Sequence, residues 1–277
     1  MRGDTPTSLF FINLCVFPLS LMVISPTAVL EMETKGTITD IHDLFNMAES
    51  TQKLFGTEAW WRGQADVKWG LTPHVYRQDR PLSWEQTLAA RFVVMAPARY
   101  TRCPDHRDWR NWLFLMQHYR LPTRLLDWTE SILIAAYFAV VKYPEEPAAL
   151  WALNLSVLNE LQVNKGALMS PGNPETKALF NAPFDRTAEK SDKIVAVMTN
   201  QIDPRMMVQL SGFTIHGSRE PLDNLAKNEQ FLAKYEILAK SKAKIKDQLG
   251  MVGIMEANLF PDLDHLASDL ASRTYKL

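Results

Sequence analysis

The chain has 277 residues, 47% of them apolar, with 8 Trp and 13 Phe, enough for a sizeable core and incompatible with wholesale disorder. Thirty basic against 31 acidic side chains give a net charge of -1, so no global field draws in nucleic acid or an anionic membrane, and only a local basic groove stays open. Cys15 and Cys103 are the two cysteines, which excludes a disulfide framework and a cysteine zinc site and makes the cytoplasm the expected setting.

At the N-terminus, Arg2 precedes an apolar run, Leu9 to Ile24, of signal-peptide length. Asn13, Pro18 and Ser20 make it a poor membrane span, and Pro26 falls where a cleavage site wants a small residue. Three readings of residues 1–31 stand side by side: a mis-called upstream start with Met32 opening the domain, a signal or anchor that makes the protein exported, and a structured arm.

Globular texture is expected after Gly36. Thr39 is placed to cap a helix from Asp40 to about Gln52, with Ile41, Leu44, Phe45 and Met47 as its apolar face. Glu58 to Gln64 reads as a short strand, and Trp69 to Pro73 as an extended piece that Pro73 keeps out of a sheet centre. Ser83 caps a predicted helix through Met95, and a further helix runs from the Asp108 region through Gln117 until Leu121-Pro122 breaks it. Thr129 or Glu130 then opens an apolar helix that ends before Pro144. Leu150 to Leu155, Lys193 to Met198, Gly212 to His216 and Phe231 to Leu238 have the composition of strands. Residues 164–190, rich in Pro, Gly and Asn, read as a long surface loop. Lys240 to Leu249 is a predicted helix closed near Gly250, and Pro261 starts a last one through Leu270. Without repeats or a regular βαβ rhythm, the pattern predicts α+β: a single domain, with a mixed or antiparallel sheet and several surrounding helices.

Two clusters stand out chemically. Trp61-Arg62-Gly63-Gln64 puts an arginine at a strand end beside a glycine. There a ligand's phosphate or another backbone can approach closely, and the planar guanidinium suits phosphate or carboxylate; the alternative is an arginine tying a turn to a nearby Asp. Gln117 to Thr129 packs His118, Arg120, Thr123, Arg124, Asp127 and Trp128 into thirteen residues, a density expected of a partly buried polar network. His118, late in a helix, is favoured in its protonated form by the dipole. Arg124 and Asp127, three apart, are expected to pair across a turn or helix start, with Trp128 either a stacking face or a core plug. A metal site on His118 and Asp127 lacks a third ligand at diagnostic spacing. Arg205 and Gln209 share a helix face, and on the following strand Phe213 and Ile215 point one way, Thr214 and His216 the other. Asp262 and Asp264 suit the capping of the last helix.

Four blocks fall in an order that resembles the FRG-domain family. They are Trp61 to Gln64 with Trp69, Leu71 and Pro73; Gln117-His118 with Leu121 to Thr129; Gln209 with Gly212 to His216; and Leu259 to Asp264. The resemblance implies an FRG-type domain over 58–272, which leaves the predicted N-terminal helix in residues 32–57 ahead of it. Trp61 stands where the family usually has Phe or Tyr, and Arg120 where it usually has Gly, which adds a side chain and a charge to a turn. An aromatic-Arg-Gly at an early strand end also resembles the NAD-phosphate-binding arginine of ADP-ribosyltransferases. That likeness implies Arg62 on a dinucleotide phosphate, His118 and Thr123 on a ribose, and Trp128 or Phe213 stacked on nicotinamide. It also needs a carboxylate to stabilise the oxocarbenium-like centre, for which Asp127, Glu130 and Glu236 are available.

The sequence therefore leads to a polar pocket in which His118 and Asp127 are the catalytic candidates. Arg62, Gly63, Gln64, Thr123, Arg124, Trp128, Arg205, Gln209 and His216 are the ligand-binding ones, and no metal is called. The leading function is nucleotide or phosphate binding with NAD-dependent ADP-ribosyl transfer, NAD being the cofactor implied. The alternative is a non-catalytic effector module that recognises a phosphorylated ligand or a protein partner. A nuclease-like phosphodiesterase fits less well, because no tight acidic cluster is present for magnesium.

Overall fold

The computed structural model describes residues 32–199 and 204–274; the apolar N-terminal run and the side chain of Arg205 lie outside the described part. In chain order the main elements are β1 (Thr34–Ile38), α1 (Ile41–Phe55), β2 (Trp60–Gln64), α2 (Leu82–Met95), α3 (Trp109–His118), β3 (Leu125–Thr129), α4 (Ile132–Val140) and β4 (Ala148–Leu153). There follow α5 (Leu155–Val163), α6 (Pro174–Asn181), β5 (Ile194–Val197), α7 (Pro204–Val208), β6 (Ser211–His216), β7 (Leu232–Ile237), α8 (Lys242–Met251), α9 (Glu256–Leu259) and α10 (Leu263–Thr274). The seven strands form one sheet in the order β1-β7-β4-β2-β3-β6-β5. Only β1 with β7 is parallel among the strand pairs of this sheet, so it is mixed and the fold is α+β.

Strand alternation sorts the core into layers. One face carries Trp60, Leu126, Trp128, Trp151, Leu153 and Leu232, closed over by α5 and the segment around Leu222 and Phe231. The other face is covered by two separate helical groups. Over β1, β7, β4 and β2 lie α1, α4 and α8, which bury Trp61, Leu150 and Tyr235. Over β3, β6 and β5 lie α2, α3 and α6, around Leu125, Phe213 and Ile215. The seam between the two groups runs above β2 and β3, at the middle of the sheet.

Local sequence sets most element boundaries. Asp40 caps α1 by accepting from the His42 and Asp43 amides, and Asp43 reaches back to the Thr39 and Asp40 amides, so the capping residue is Asp40 rather than Thr39. Asp108 caps α3, Ser131 caps α4, and Asp262 accepts from the His265 amide at the start of α10, the capping role expected of it.

Several expectations are corrected. Core structure starts at β1, before Gly36; its Thr-Lys-Gly-Thr-Ile run is mostly exposed at a sheet edge and carries little apolar signal. Residues 164–190 are not a surface loop throughout, because α6 lies within them and Met169, Leu179 and Phe180 are buried. Trp69 to Pro73 forms no strand; Gln64 Nε2 donates to the Gly70 carbonyl and the Leu71 amide to Asp223 Oδ1. Most consequentially, 125–129 is a strand rather than a turn or helix start; Leu125, Leu126, Trp128 and Thr129 are all buried, so buried residues fall on both faces and the period-2 signal is masked.

Candidate active site

The centre of the sheet comes apart where the two helical groups part. Strand β2 pairs with β4 along all of Trp60 to Gln64, and β3 pairs with β6 along all of Leu125 to Thr129. Between β2 and β3 the register holds one pair, Trp61 with Thr129. Beyond it the strands splay, and Arg62 takes over the bridging: its Nη1 donates to the Asp127 carbonyl at 2.7 Å, in place of a ladder bond. Above this split opens a cavity of about 550 Å³, within the usual range for small-molecule sites.

Its floor is Trp61, Gly63, Asp127, Thr129 and Ser211, all on the same sheet face. One wall is the end of α4 with Lys142 and Tyr143; the other is Gln117 at the end of α3 with Arg120 and Leu121. Trp69 and Tyr143 meet edge to face, with centroids 5.6 Å apart, at one margin. Buried Lys242 holds that margin together by donating to the carbonyls of Ala65 and Tyr143, each at 2.7 Å, and of Lys142 at 3.2 Å.

Gly63 is explained by packing. A Cβ there would fall on the Ala135 carbonyl, so glycine serves the approach of α4 onto β2 rather than of a phosphate. Arg62 both braces the split and faces the cavity. Its side chain is 15% exposed, its Nη1 lies 3.9 Å from Asp127 Oδ2, and its buried Nε has no hydrogen-bond partner. Burial lowers its pKa to about 10, against the pull of Asp127 and helped by Arg77, which leaves it charged at neutral pH. Arg77 is likewise lowered by burial, against Asp127.

Asp127 is held by a relay. Thr123 Oγ1 donates to Gln117 Oε1, which orients the amide so that Gln117 Nε2 donates to Asp127 Oδ2 at 2.8 Å; the Leu125 amide in turn donates to Thr123 Oγ1. Thr123 thus lies behind the wall and acts through Gln117. The anticipated Arg124–Asp127 pair does not form, because strand geometry separates the two side chains. Arg124 instead makes a two-pronged bond to Glu85 on α2, Nε to Oε1 at 3.1 Å and Nη2 to Oε2 at 2.6 Å, with both side chains almost fully buried. Burial works against the Arg124 charge, but the Glu85 charge and hydrogen bonds outweigh it and raise the pKa.

Of the remaining candidates, Gln64, Trp128 and Gln209 line the cavity. Gln64 also accepts from Trp151 Nε1, and Gln209 donates to the Leu259 carbonyl. Trp128 is mainly a core plug whose Nε1 donates to Thr214 Oγ1. Thr214 continues to His216 Nε2 at 2.9 Å, on the face opposite Phe213, as the alternation predicts. His216 is fully buried away from the cavity lining, and burial, then Arg62 and Arg124, push its pKa down to about 3. Phe213 stacks on Phe114 inside the core, which removes it as a face for a ligand. His118 is not among the lining residues either. A helix turns about 100° per residue, so presenting Gln117 to the cleft aims His118 elsewhere, edge-on to Tyr119.

Sequence reasoning passed over Trp69, His74, Arg77, Lys142 and Gln117 as site residues. Only Gln117 carried a usable signal, its place at the head of the dense polar segment. Arg120, where the resemblance implies Gly, has φ 61, a left-handed conformation that glycine adopts freely and arginine does not. Five non-glycine residues have positive φ among the described residues, and Arg120 and Tyr143 line the cavity while a third, Leu210, sits between the lining residues Gln209 and Ser211. Strain therefore gathers at the cavity rim, a pattern associated with functional sites. Among the described residues, no group of three or more His, Cys, Asp and Glu is placed to hold a metal, and no helix is long and apolar enough to cross a membrane.

No curated protein and no solved structure gives a significant match to the chain. A family model, described as FRG domain, matches residues 57–147, from just before β2 to just before β4. That span holds Arg62, Gly63, Gln64, Thr123, Arg124, Asp127 and Trp128, while Gln209 and His216 fall beyond it. In residues 57–147, where the split strands, the Gln117 relay and the Arg124–Glu85 pair all lie, the chain carries an FRG domain.

Proposed function

We propose that the cleft binds a phosphorylated ligand of nucleotide size and that NAD-dependent ADP-ribosyl transfer is its chemistry. The observation that carries the binding is the charge around the cavity: Arg62, Arg77, Arg120 and Lys142 line it against one carboxylate, Asp127. Guanidinium groups around the cavity suit phosphate oxygens, and Trp61, Trp69 and Phe138 supply apolar surface for a base or ring. The volume accommodates a mononucleotide and the reactive half of a dinucleotide.

Asp127 supports the finer reading. Glu130 and Glu236 are not lining residues, so Asp127 is the carboxylate in reach of a bound ligand among those considered. Transfer breaks the bond between ribose C1′ and the nicotinamide nitrogen, and nicotinamide leaves with the electron pair. A nucleophile, water or an acceptor group, bonds to C1′ and gives up its proton. An Asp held by Gln117 and flanked by Arg62 is suited to stabilise the positive charge that develops at C1′.

The test is calorimetric titration with NAD, ADP-ribose and AMP, followed by measurement of free nicotinamide after incubation with NAD. Micromolar binding with nicotinamide release is the expected outcome. Binding without release removes the transfer step and leaves the non-catalytic phospholigand module, which the same cations support. Failure to bind any of the three overturns the proposal.

A further inference from the structure

Arg120 follows the end of α3, where its amide donates to the Gln117 carbonyl at 2.9 Å and the Leu121 amide donates to the Met116 carbonyl at 3.0 Å, a helix close that places residue 120 in the left-handed region. Yet at φ 61 an L side chain is crowded against its own backbone, and glycine is the relaxed choice. The exposed Arg120 side chain compensates nothing: among the described residues it makes no hydrogen bond and no ion pair. It does line the cavity, on the wall facing Lys142 across the floor that Arg62 and Asp127 share.

We infer that Arg120 is a specificity residue that makes the cleft prefer a ligand with two linked phosphates over one with a single phosphate. The inference rests on the phospholigand reading of the cleft. Asp127 lies 3.9 Å from Arg62 and also acts on Arg77, so this one carboxylate is shared. Set against it, Arg62, Arg77, Arg120 and Lys142 leave three positive charges in excess, more than the roughly two negative charges of a monophosphate near neutral pH. A diphosphate adds one more negative charge, and its second phosphate extends off the floor towards a wall. Arg120 reaches from that wall as a long, unengaged planar donor, suited to two phosphate oxygens at once. The left-handed turn that closes α3 brings the Arg120 side chain to the cavity.

The experiment compares AMP with ADP by calorimetry, at fixed ionic strength, on the wild type, Arg120→Gly and Arg120→Gln. The wild type is expected to favour ADP by about tenfold, the size of one charge-assisted contact. Arg120→Gly should reduce that preference to about twofold and, by relieving the backbone, raise the melting temperature by roughly 2–4 °C. Arg120→Gln keeps the strain and loses the charge, so it should lose the preference with the melting temperature unchanged. If Arg120→Gly keeps the full preference while still binding both nucleotides, the inference is wrong and the cleft reading stands. If the wild type binds neither nucleotide, the cleft reading fails and the inference fails with it.

Discussion

Arg62 and Arg124 both enter the interior at the edge of the same split in the sheet, and the protein treats them in opposite ways. Arg124 is closed off: two bonds to Glu85 satisfy its fork, and the side chains are 3% and 1% exposed. Arg62 is left open. One nitrogen braces the Asp127 carbonyl, the nearest carboxylate is 3.9 Å away on a side chain that is 57% exposed, and 15% of the Arg62 side chain is itself exposed. A fully engaged buried arginine contributes architecture. A partly engaged one beside a cavity leaves part of its fork exposed there, and the two arrangements are kept separate because Arg124 and Asp127 are held apart at strand β3.

The comparison breaks most sharply at the closed pair. Glu85→Ala strands the Arg124 charge in the core and should cost about 3–5 kcal/mol in urea melts. Replacing both partners with apolar residues, Glu85→Leu with Arg124→Met, should recover most of that loss, because no charge remains to desolvate. A single-variant loss below about 1 kcal/mol is the size of a solvated pair and removes the contrast with Arg62.

The open side depends on α4 lying tight against β2. Gly63→Ala drives a methyl into the Ala135 carbonyl and must lift the helix, for a loss of about 1–3 kcal/mol in the same assay, because backbone cannot rotate away as a side chain can. A change near zero means that α4 is loosely seated, and the wall of the cavity with it.

How much of this was legible beforehand follows from which signals are local. The α3 and α4 helices and strands β4 to β7 announce themselves by apolar content, and the fold brings Arg62, Asp127, Trp128 and Gln209 to one cavity. The partner of Arg124 was illegible: Glu85 is 39 residues away on a helix whose sequence gives no hint that one acidic residue turns inward. The cavity cations Arg77 and Lys142 were hidden for the same reason, since loops 65–80 and 141–147 meet only through the sheet order. With Asp127 open to the cavity and the other four residues buried, Leu-Leu-Asp-Trp-Thr shows no alternation between apolar and polar, and a spacing of three reads as a turn or helix start.

His216 reports on its burial first, and then on the Arg62 and Arg124 charges, at one buried point. Its pKa is about 3 in the fold against 6.5 for an ordinary histidine, so between those values the unfolded chain holds a proton that the folded one lacks. Stability should therefore be unaffected by His216 above pH 6.5 and fall as pH drops below it, by up to about 1.4 kcal/mol per pH unit, levelling near pH 3. His216→Gln should flatten that part of the profile. An unchanged slope assigns the acid sensitivity to other groups and places His216 in contact with solvent.

The smallest effect on stability is expected where the effect on function is largest. Asp127→Asn keeps the shape of the side chain, and with more than half of it exposed the pair with Arg62 is screened, so the melt should shift by less than about 1 kcal/mol. Binding should respond in two directions. Without its negative charge the floor becomes more cationic, so inorganic pyrophosphate should bind more tightly to the variant than to the wild type. Nicotinamide release from NAD should disappear, because an amide cannot stabilise positive charge at C1′ as a carboxylate does. Tighter pyrophosphate binding without a change in nicotinamide release keeps Asp127 in the cavity and removes it from the chemistry. Unchanged pyrophosphate binding takes Asp127 away from the phosphate altogether and leaves its place beside Arg62 a matter of structure alone.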